Sequence, residues 1–290
     1  MGRLARSGAA LLMLSIALAA GCKQPKAEPV PAAAPEAKPG HKANEPFERV
    51  FYPSGSLKIA AYLYRPAGDG PFPAIVYSHG SRKGAERKDA PMTAIAEMLT
   101  AKGYVVLVSE RRGYGASEGP TPEDEGETLV PRMNEESDDV VAAYPFLAAD
   151  SKVDKARVGL LGWSLGGIVT VLALAKSKSF KAGVDQASGS LSWKKNGPLH
   201  AALTEAAAKI TVPLLSMDAK NDATNESVIA IDEAMAKHHG THRLVIYPDF
   251  VPKHDTKGTP PGHLIFTAEG MPHWQDDVVG WMDQHLKSAR

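Results

Sequence analysis

The sequence is poor in cysteine and has no excess charge of either sign. Cys22 is its one cysteine, so a disulfide within the chain and a cysteine-rich metal site are both excluded. Lysine and arginine together number 33, aspartate and glutamate together also number 33, and the formal net charge is zero. Since no basic stripe stands out, the composition gives no support to nucleic-acid binding. A neutral or modestly polar small molecule is the substrate that suits this balance.

The chain also lacks an apolar run long enough to cross a membrane. The best candidate, residues 9–20, follows two arginines and falls short of the roughly 20 residues that a spanning helix needs. A short apolar run behind a positively charged start is typical of a secretory signal peptide.

The signal region ends in Ala19-Ala20-Gly21-Cys22, which resembles a bacterial lipobox. In a lipobox the cysteine is lipidated and becomes the mature N-terminus, which would account for the one cysteine of the chain. We therefore predict a lipoprotein signal peptide over 1–21 and lipidation at Cys22. The lipid would anchor the protein to a membrane of the bacterial cell envelope, on the periplasmic or outer face. A plain signal peptide followed by an incidental cysteine is the alternative.

Residues 22–45 are rich in proline, alanine, lysine and glutamate. Such a composition buries too little apolar surface to offset the entropy lost on ordering, so we predict a disordered tether. Residues 46–290 fit one α/β domain. Within that domain, the acidic and turn-rich residues 116–137 are predicted to form a long surface loop.

Short apolar strands alternate with helices along the domain. The predicted strands cover 47–52, 57–64, 74–78, 105–109, 158–161, 182–186, 212–217 and 243–247. The predicted helices cover 90–102, 134–148, 165–175, 199–209, 226–237 and 275–288. This alternation implies an α/β fold with a mixed, mostly parallel sheet of about eight strands and helices on both faces. Functional residues of such sheets lie at the carboxyl ends of the strands.

The segment Gly162-Trp163-Ser164-Leu165-Gly166 stands between a predicted strand and a predicted helix. The pattern G-x-S-x-G in this context predicts a nucleophile elbow, a sharp turn that presents the serine hydroxyl. We predict that Ser164 is a nucleophile and that the N–H of Leu165, at the positive end of the helix, stabilises an oxyanion. A glycine-rich turn without a catalytic role is the alternative.

A second oxyanion donor is expected from the loop after an earlier strand. Here the predicted strand 74–78 is followed by His79-Gly80-Ser81. We predict the N–H of Ser81 as this donor, with those of Gly80 and Arg82 as alternatives. His79 is interpreted as a residue that holds the loop by hydrogen bonding.

A serine needs a base that an acid orients, and in enzymes with this elbow the acid and then the base follow the serine. Asp218 and Asp222 both follow the predicted strand 212–217. We favour Asp222, because a loop position can reach the base, whereas Asp218 would cap the strand end. An N-cap of the next helix is the alternative for Asp222.

The base must come after the last strand, where His254, His263 and His273 are the candidates. We favour His263, which follows a stiff Pro-Pro-Gly segment that can return over the sheet. His254 has the surroundings of a solvated residue, and His273 stands where a helix begins.

Three further histidines, at positions 238, 239 and 242, fit an exposed helix end better than a metal site. The predicted chemistry implies no metal and no organic cofactor.

Five stretches of the sequence carry a resemblance to a known family. They are PFPAIVYSHGS, VVLVSERRGYGASEG, VDKARVGLLGWSLGG, PLLSMDAKNDATN and the tail GHLIF…HWQDDVVGWMDQHL. The chain resembles the dienelactone hydrolase-like and prolyl-oligopeptidase-like branches of the α/β-hydrolases. The resemblance implies an α/β-hydrolase fold, and the interval 187–211 is too short for a large lid. It implies that Asp222 is the acid, that His263 is the base and that residues 112–117 shape one wall of the site.

The resemblance also bears on the substrate. Dienelactone hydrolases proper use a cysteine nucleophile, so Ser164 argues against dienelactone. The predicted function is therefore that of a carboxylesterase-like serine hydrolase, which cleaves small or moderate esters through a Ser-Asp-His triad and an acyl-enzyme. An aminoacyl peptidase or amidase of the prolyl-oligopeptidase-like branch is one alternative. A catalytically inactive binding protein of the envelope is another, because a fold alone does not establish an activity.

Overall fold

The computed structural model describes residues 45–121, 128–254 and 256–287. The predicted signal peptide over 1–21, the lipidation site at Cys22 and the predicted tether up to residue 44 lie outside the described residues. Within those described, no helix combines the length and the apolar character that crossing a bilayer requires.

The described ranges contain one eight-stranded sheet. Its strands are β1 (Glu48–Ser54), β2 (Leu57–Tyr64), β3 (Phe72–Ser78), β4 (Val105–Ser109), β5 (Val153–Trp163), β6 (Ala182–Gln186), β7 (Leu214–Ala219) and β8 (His242–Tyr247). Their order across the sheet is β1-β2-β4-β3-β5-β6-β7-β8. Strand β2 is antiparallel to β1 and β4, and the other neighbours are parallel. The predicted mixed, mostly parallel sheet is confirmed.

Helices cover both faces of this sheet. They are α1 (Thr93–Ala101), α2 (Leu129–Ala148), α3 (Leu165–Lys176), α4 (Gly197–Ala207), α5 (Glu226–Lys237) and α6 (Met271–Met282). Neighbouring strand residues point to opposite faces, so Val76 packs in one apolar core and Ile75 in the other. Helices α2 to α5 contribute to the first core, and α1 and α6 contribute to the second.

The structure corrects the prediction of a surface loop over 116–137. Helix α2 begins at Leu129, so the last part of that segment is helical. Its acidic composition suggested a loop, but Leu129 and Met133 are buried in the core. Pro131 lies in the first turn, where a helix tolerates the missing N–H. Residues 122–127 of the segment lie outside the described residues.

Candidate active site

Ser164 lies between the end of β5 and the start of α3, in the turn that the sequence predicts. Its φ is 59° and its ψ is −120°, a backbone strain on the order of 1–3 kcal/mol for a residue other than glycine. A Cβ atom at Gly162 would lie 2.1 Å from the carbonyl oxygen of Gly166, and one at Gly166 would lie 2.0 Å from that of Ser78. The turn therefore requires glycine at both positions.

His263 lies in a short 3-10 helix, Pro261–Phe266, and its side chain is buried. Its Nε2 atom is 2.9 Å from the Ser164 Oγ, which is hydrogen-bond distance. The indole Nε1 of Trp163 donates to the carbonyl oxygen of His263 at 3.1 Å and fixes the backbone there. A Cβ atom at Gly262 would lie 2.5 Å from the Asp222 nitrogen, so this glycine lets the two loops meet.

Asp222 follows β7, and its carboxylate is buried. Its Oδ2 is 2.7 Å from the His263 Nδ1, and its Oδ1 accepts the N–H of Ala223 at 2.6 Å. Burial raises the pKa of Asp222, but the hydrogen bond and the charge of His263 outweigh this effect and hold the pKa below its ordinary value. An ionised Asp222 favours the proton of His263 on Nδ1, which leaves Nε2 free to accept the serine proton.

The other candidates for acid and base have different surroundings. Asp218 lies inside β7 and not at its end, which corrects its predicted position. Burial, and then the negative charge of Asp222, raise the pKa of Asp218 to about 9, so this carboxyl is neutral at pH 7. The His254 side chain is 86% exposed. His273 is exposed, and its ring packs edge-on against Phe250 at a centroid distance of 5.7 Å.

The histidines at 238, 239 and 242 do not converge on one point. His238 and His239 are exposed beyond the end of α5. His242 lies in β8, and its Nδ1 is 2.6 Å from the Asp232 Oδ1. In the part of the chain that the structure describes, no three histidine, cysteine, aspartate or glutamate side chains are grouped to hold a metal ion.

Two N–H groups are predicted as oxyanion donors. Leu165 is the first residue of α3, and the first N–H groups of a helix have no partner within it. The loop after β3 lies against Ser164, since a Cβ atom at Gly80 would lie 3.1 Å from the Ser164 Cβ. Ser81, the next residue, is exposed. Leu165 directly follows Ser164 in the chain, and Ser81 follows the glycine that packs against Ser164. Their role as oxyanion donors stays a prediction.

The loop after β4 is fixed by a group of mostly buried charges that we call the arginine cluster. Its members form ion pairs between that loop and α2 or within α2, and they are Arg111, Arg112, Arg132, Glu136 and Asp139. Glu136 accepts the Nε–H of Arg111 at 2.6 Å and that of Arg132 at 2.8 Å. Arg111 also donates to the carbonyl oxygen of His79 at 3.0 Å. The cluster thereby ties the predicted site wall over 112–117 to the loop beside Ser164.

Ser190 is a site residue that the sequence analysis missed. It lies beyond β6 and is buried, and its Oγ donates to the Asp222 Oδ2 at 2.9 Å. The same oxygen lies 3.1 Å from the His263 Nδ1. Its position after the predicted strand 182–186 was the one signal available in the sequence, because sites form at the carboxyl ends of such strands. We call Ser164, Ser190, Asp222 and His263 the serine–histidine cluster.

Two proteins of similar sequence illustrate the relationship to known proteins. The chain is 32% identical over 137 residues to the quorum-quenching protein AidA of Acinetobacter baumannii, covering 47% of this chain and 42% of that protein. It is 27% identical over 151 residues to the putative hydrolase YtaP of Bacillus subtilis, covering 46% of this chain and 49% of that protein. The chain thus spans less than half the length of these relatives.

Solved structures with a similar fold are more distant in sequence. An acylaminoacyl peptidase of Pyrococcus horikoshii superposes with a TM-score of 0.58 at 20% identity, over 80% of this chain and 42% of that one. An esterase of Pyrococcus furiosus superposes with a TM-score of 0.59 at 18% identity, over 83% of this chain and 93% of that one. These likenesses show that the domain has the α/β-hydrolase fold.

The family comparison covers the larger part of the chain. The model of the dienelactone hydrolase family matches residues 59–254. This range runs from within β2 to beyond β8, includes the turn at Ser164 and the loop of Asp222, and stops short of His263. The chain therefore belongs to the dienelactone hydrolase family.

Proposed function

We propose that the protein is a serine hydrolase that cleaves carboxylic esters through an acyl-enzyme on Ser164. The observation that carries the proposal is a continuous chain of hydrogen bonds. It runs from the Asp222 Oδ2 to the His263 Nδ1 at 2.7 Å, and from the His263 Nε2 to the Ser164 Oγ at 2.9 Å. Membership of the dienelactone hydrolase family supports hydrolytic chemistry.

The reaction would proceed in two half-reactions. Ser164 Oγ attacks the ester carbonyl carbon while the His263 Nε2 takes the hydroxyl proton. The bond to the alkoxy oxygen then breaks, and the proton of His263 leaves with the alcohol. Water attacks the acyl-enzyme in the same way and releases the acid. The N–H groups of Leu165 and Ser81 would stabilise the oxyanion in both halves.

An ester is favoured over an amide because no sequence feature marks a subsite for a peptide terminus. The serine nucleophile makes dienelactone an unexpected substrate, since the family's namesake enzymes use cysteine. A p-nitrophenyl acyl ester series, compared with aminoacyl p-nitroanilides, tests the preference. Faster turnover of the anilides would replace the esterase proposal by an aminoacyl peptidase.

Labelling with a fluorophosphonate tests whether Ser164 is activated. The full chain is compared with Ser164→Ala and His263→Ala, and His254→Ala is the matched control because that histidine is exposed. The parent and the control are expected to be labelled, and the serine variant is expected to take no label. The rate of labelling of the histidine variant should fall at least about 10³-fold. A folded parent that takes no label would favour an inactive binding protein.

A lipid anchor at Cys22 would place this esterase at the cell envelope, with small-molecule esters as its substrates. The proposal rests on the lipobox-like sequence at 19–22. Growth with an alkyne fatty acid should label the full chain, and Cys22→Ser should abolish the label. Equal labelling of both would remove the anchor from the proposal.

A further inference from the structure

Ser190 lies where the acid and the base of the proposed triad meet. Its hydroxyl donates to the Asp222 Oδ2 at 2.9 Å, and its oxygen lies 3.1 Å from the His263 Nδ1. Only 2% of the residue is exposed. The turn that carries it begins with Ala187 at a φ of 52°, a left-handed backbone that non-glycine residues rarely adopt. The chain thus accepts backbone strain beside the residue that contacts both groups.

The hydroxyl completes the hydrogen bonding of the buried carboxylate. Asp222 Oδ1 accepts the N–H of Ala223, and its Oδ2 faces both the His263 Nδ1 and the Ser190 hydroxyl. A serine has one proton to donate, and the Asp222 Oδ2 at 2.9 Å is a closer acceptor than the Ala187 carbonyl oxygen at 3.4 Å. Three donors to its oxygens hold a buried carboxylate in one orientation. In the orientation of Asp222, Oδ2 faces the imidazole of His263.

We infer that Ser190 is a positioning residue for the proposed reaction: it holds the Asp222 carboxylate in line with the His263 ring through the hydrogen bond to Oδ2. Its kinetic consequence rests on the proposed serine hydrolase function. The geometric claim, that Ser190 acts on the Asp222–His263 pair, has a test of its own.

Removal of the hydroxyl should have two effects that a general loss of packing does not produce. The carboxylate Oδ2 loses a donor, so it becomes more basic and attracts the protonated imidazole more strongly. The pKa of His263 in the variant should therefore rise relative to the parent. The carboxylate also gains freedom to turn, so the ring is less often oriented for transfer from Ser164.

The test compares Ser190→Ala with Ser188→Ala in the full chain. Ser188 is a matched control, because it is also buried in the turn after β6 and donates to a different carboxylate, Asp185, at 2.9 Å. For Ser190→Ala, kcat is expected to fall about 10- to 100-fold, as for loss of a hydrogen bond to a charged group, with KM unchanged. The acid limb of the pH–rate profile should move to higher pH. Ser190→Thr, which keeps the hydroxyl, should recover most of the rate.

Histidine titration by NMR makes the geometric claim independent of turnover. The His263 signals are identified by their absence from His263→Ala, and their titration is followed in the parent, Ser190→Ala and Ser188→Ala. An upward shift in the Ser190 variant alone supports the inference even if the parent hydrolyses no ester, which would count against the proposed function only. Unchanged titration, or the same shift and rate loss in both serine variants, would overturn it.

Discussion

The serine–histidine cluster and the arginine cluster are both mostly buried, and both consist of hydrogen-bonded side chains. They differ in whether their protons can move. In the first cluster the bond between His263 Nε2 and Ser164 Oγ joins two groups between which the proposed reaction would move a proton. In the second, Glu136 joins Arg111 and Arg132, and a guanidinium keeps its protons at any ordinary pH.

The same contrast separates two buried histidines that lie near Ser164. His263 has a carboxylate at its Nδ1 and the serine at its Nε2. His79 has the Gly80 carbonyl oxygen 2.7 Å from its Nδ1. Burial and the positive charge of Arg111 hold the pKa of His79 well below its usual range. A buried imidazole can serve as a base where a carboxylate stabilises its protonated form. Where nearby cations destabilise the protonated form, the imidazole is suited to support a loop by hydrogen bonding.

Asp222→Asn should have the largest effect on the first cluster. The amide would donate to the His263 Nδ1, so the ring proton would move to Nε2, which then no longer accepts from Ser164. We expect kcat to fall about 10⁴-fold with the fold intact. Ester hydrolysis measures the rate, and thermal unfolding checks the fold. A loss of less than about tenfold would show that Asp222 does not set the state of His263.

Glu136→Gln should have the largest effect on the second cluster. It leaves Arg111 buried without its carboxylate, which costs about 3–5 kcal/mol in the free energy of unfolding. Glu135→Gln is the matched control, because its side chain is 58% exposed and lies 3.3 Å from Arg112. The control should change stability by at most about 0.5 kcal/mol. Urea unfolding measures both, and equal effects would contradict a supporting role specific to the buried carboxylate.

Local signals made the elbow and most strands predictable from the sequence. Glycines at 162 and 166 between an apolar strand and an apolar helix specify the turn at Ser164, because contacts of about 2 Å exclude any side chain there. Strand β4 at Val105–Ser109 and helix α5 at Glu226–Lys237 have the bounds predicted from periodicity.

Features that depend on distant parts of the chain were not predictable. Ser190 lies 32 residues from Asp222 and 73 from His263, and a serine in a turn has no periodic signal. The neutral state of Asp218 depends on its burial in β7 beside Asp222. The start of α2 at Leu129 was not predicted, because the acidic composition there is typical of a loop. Packing of Leu129 and Met133 against the core stabilises the helix instead.

Asp218→Asn should change the pH dependence of stability. The raised pKa of Asp218, about 9, exceeds the value of about 3.9 in an unfolded chain, so the native state holds a proton that the unfolded state has lost. The stability of the parent should therefore fall as the pH rises from about 4 to 9, by at most about 1.4 kcal/mol per unit. An amide cannot ionise, so this decline should be weaker in the variant.

Unfolding at several pH values measures this difference, with the exposed Asp249→Asn as the control. Activity at pH 7 should stay within about threefold of the parent, because asparagine resembles the protonated acid in size and charge. A decline as steep as that of the parent would show that Asp218 is ionised in the native protein.

His79→Asn should have the smallest effect of these substitutions. Its effect on the pH dependence of stability should be opposite in sign to that of Asp218→Asn. The unfolded chain protonates this histidine near pH 6.5, whereas the native state, with its lowered pKa, does not. The stability of the parent should therefore fall as the pH drops below about 6.5, and the variant should lose part of this decline. Asparagine keeps a donor toward the Gly80 carbonyl oxygen, and His254→Asn is the exposed control.

Glu110 Oε2 lies 3.7 Å from the His79 Nε2. If that carboxylate held the ring protonated, the variant would instead lose stability most at low pH, and the contrast between the two buried histidines would fail.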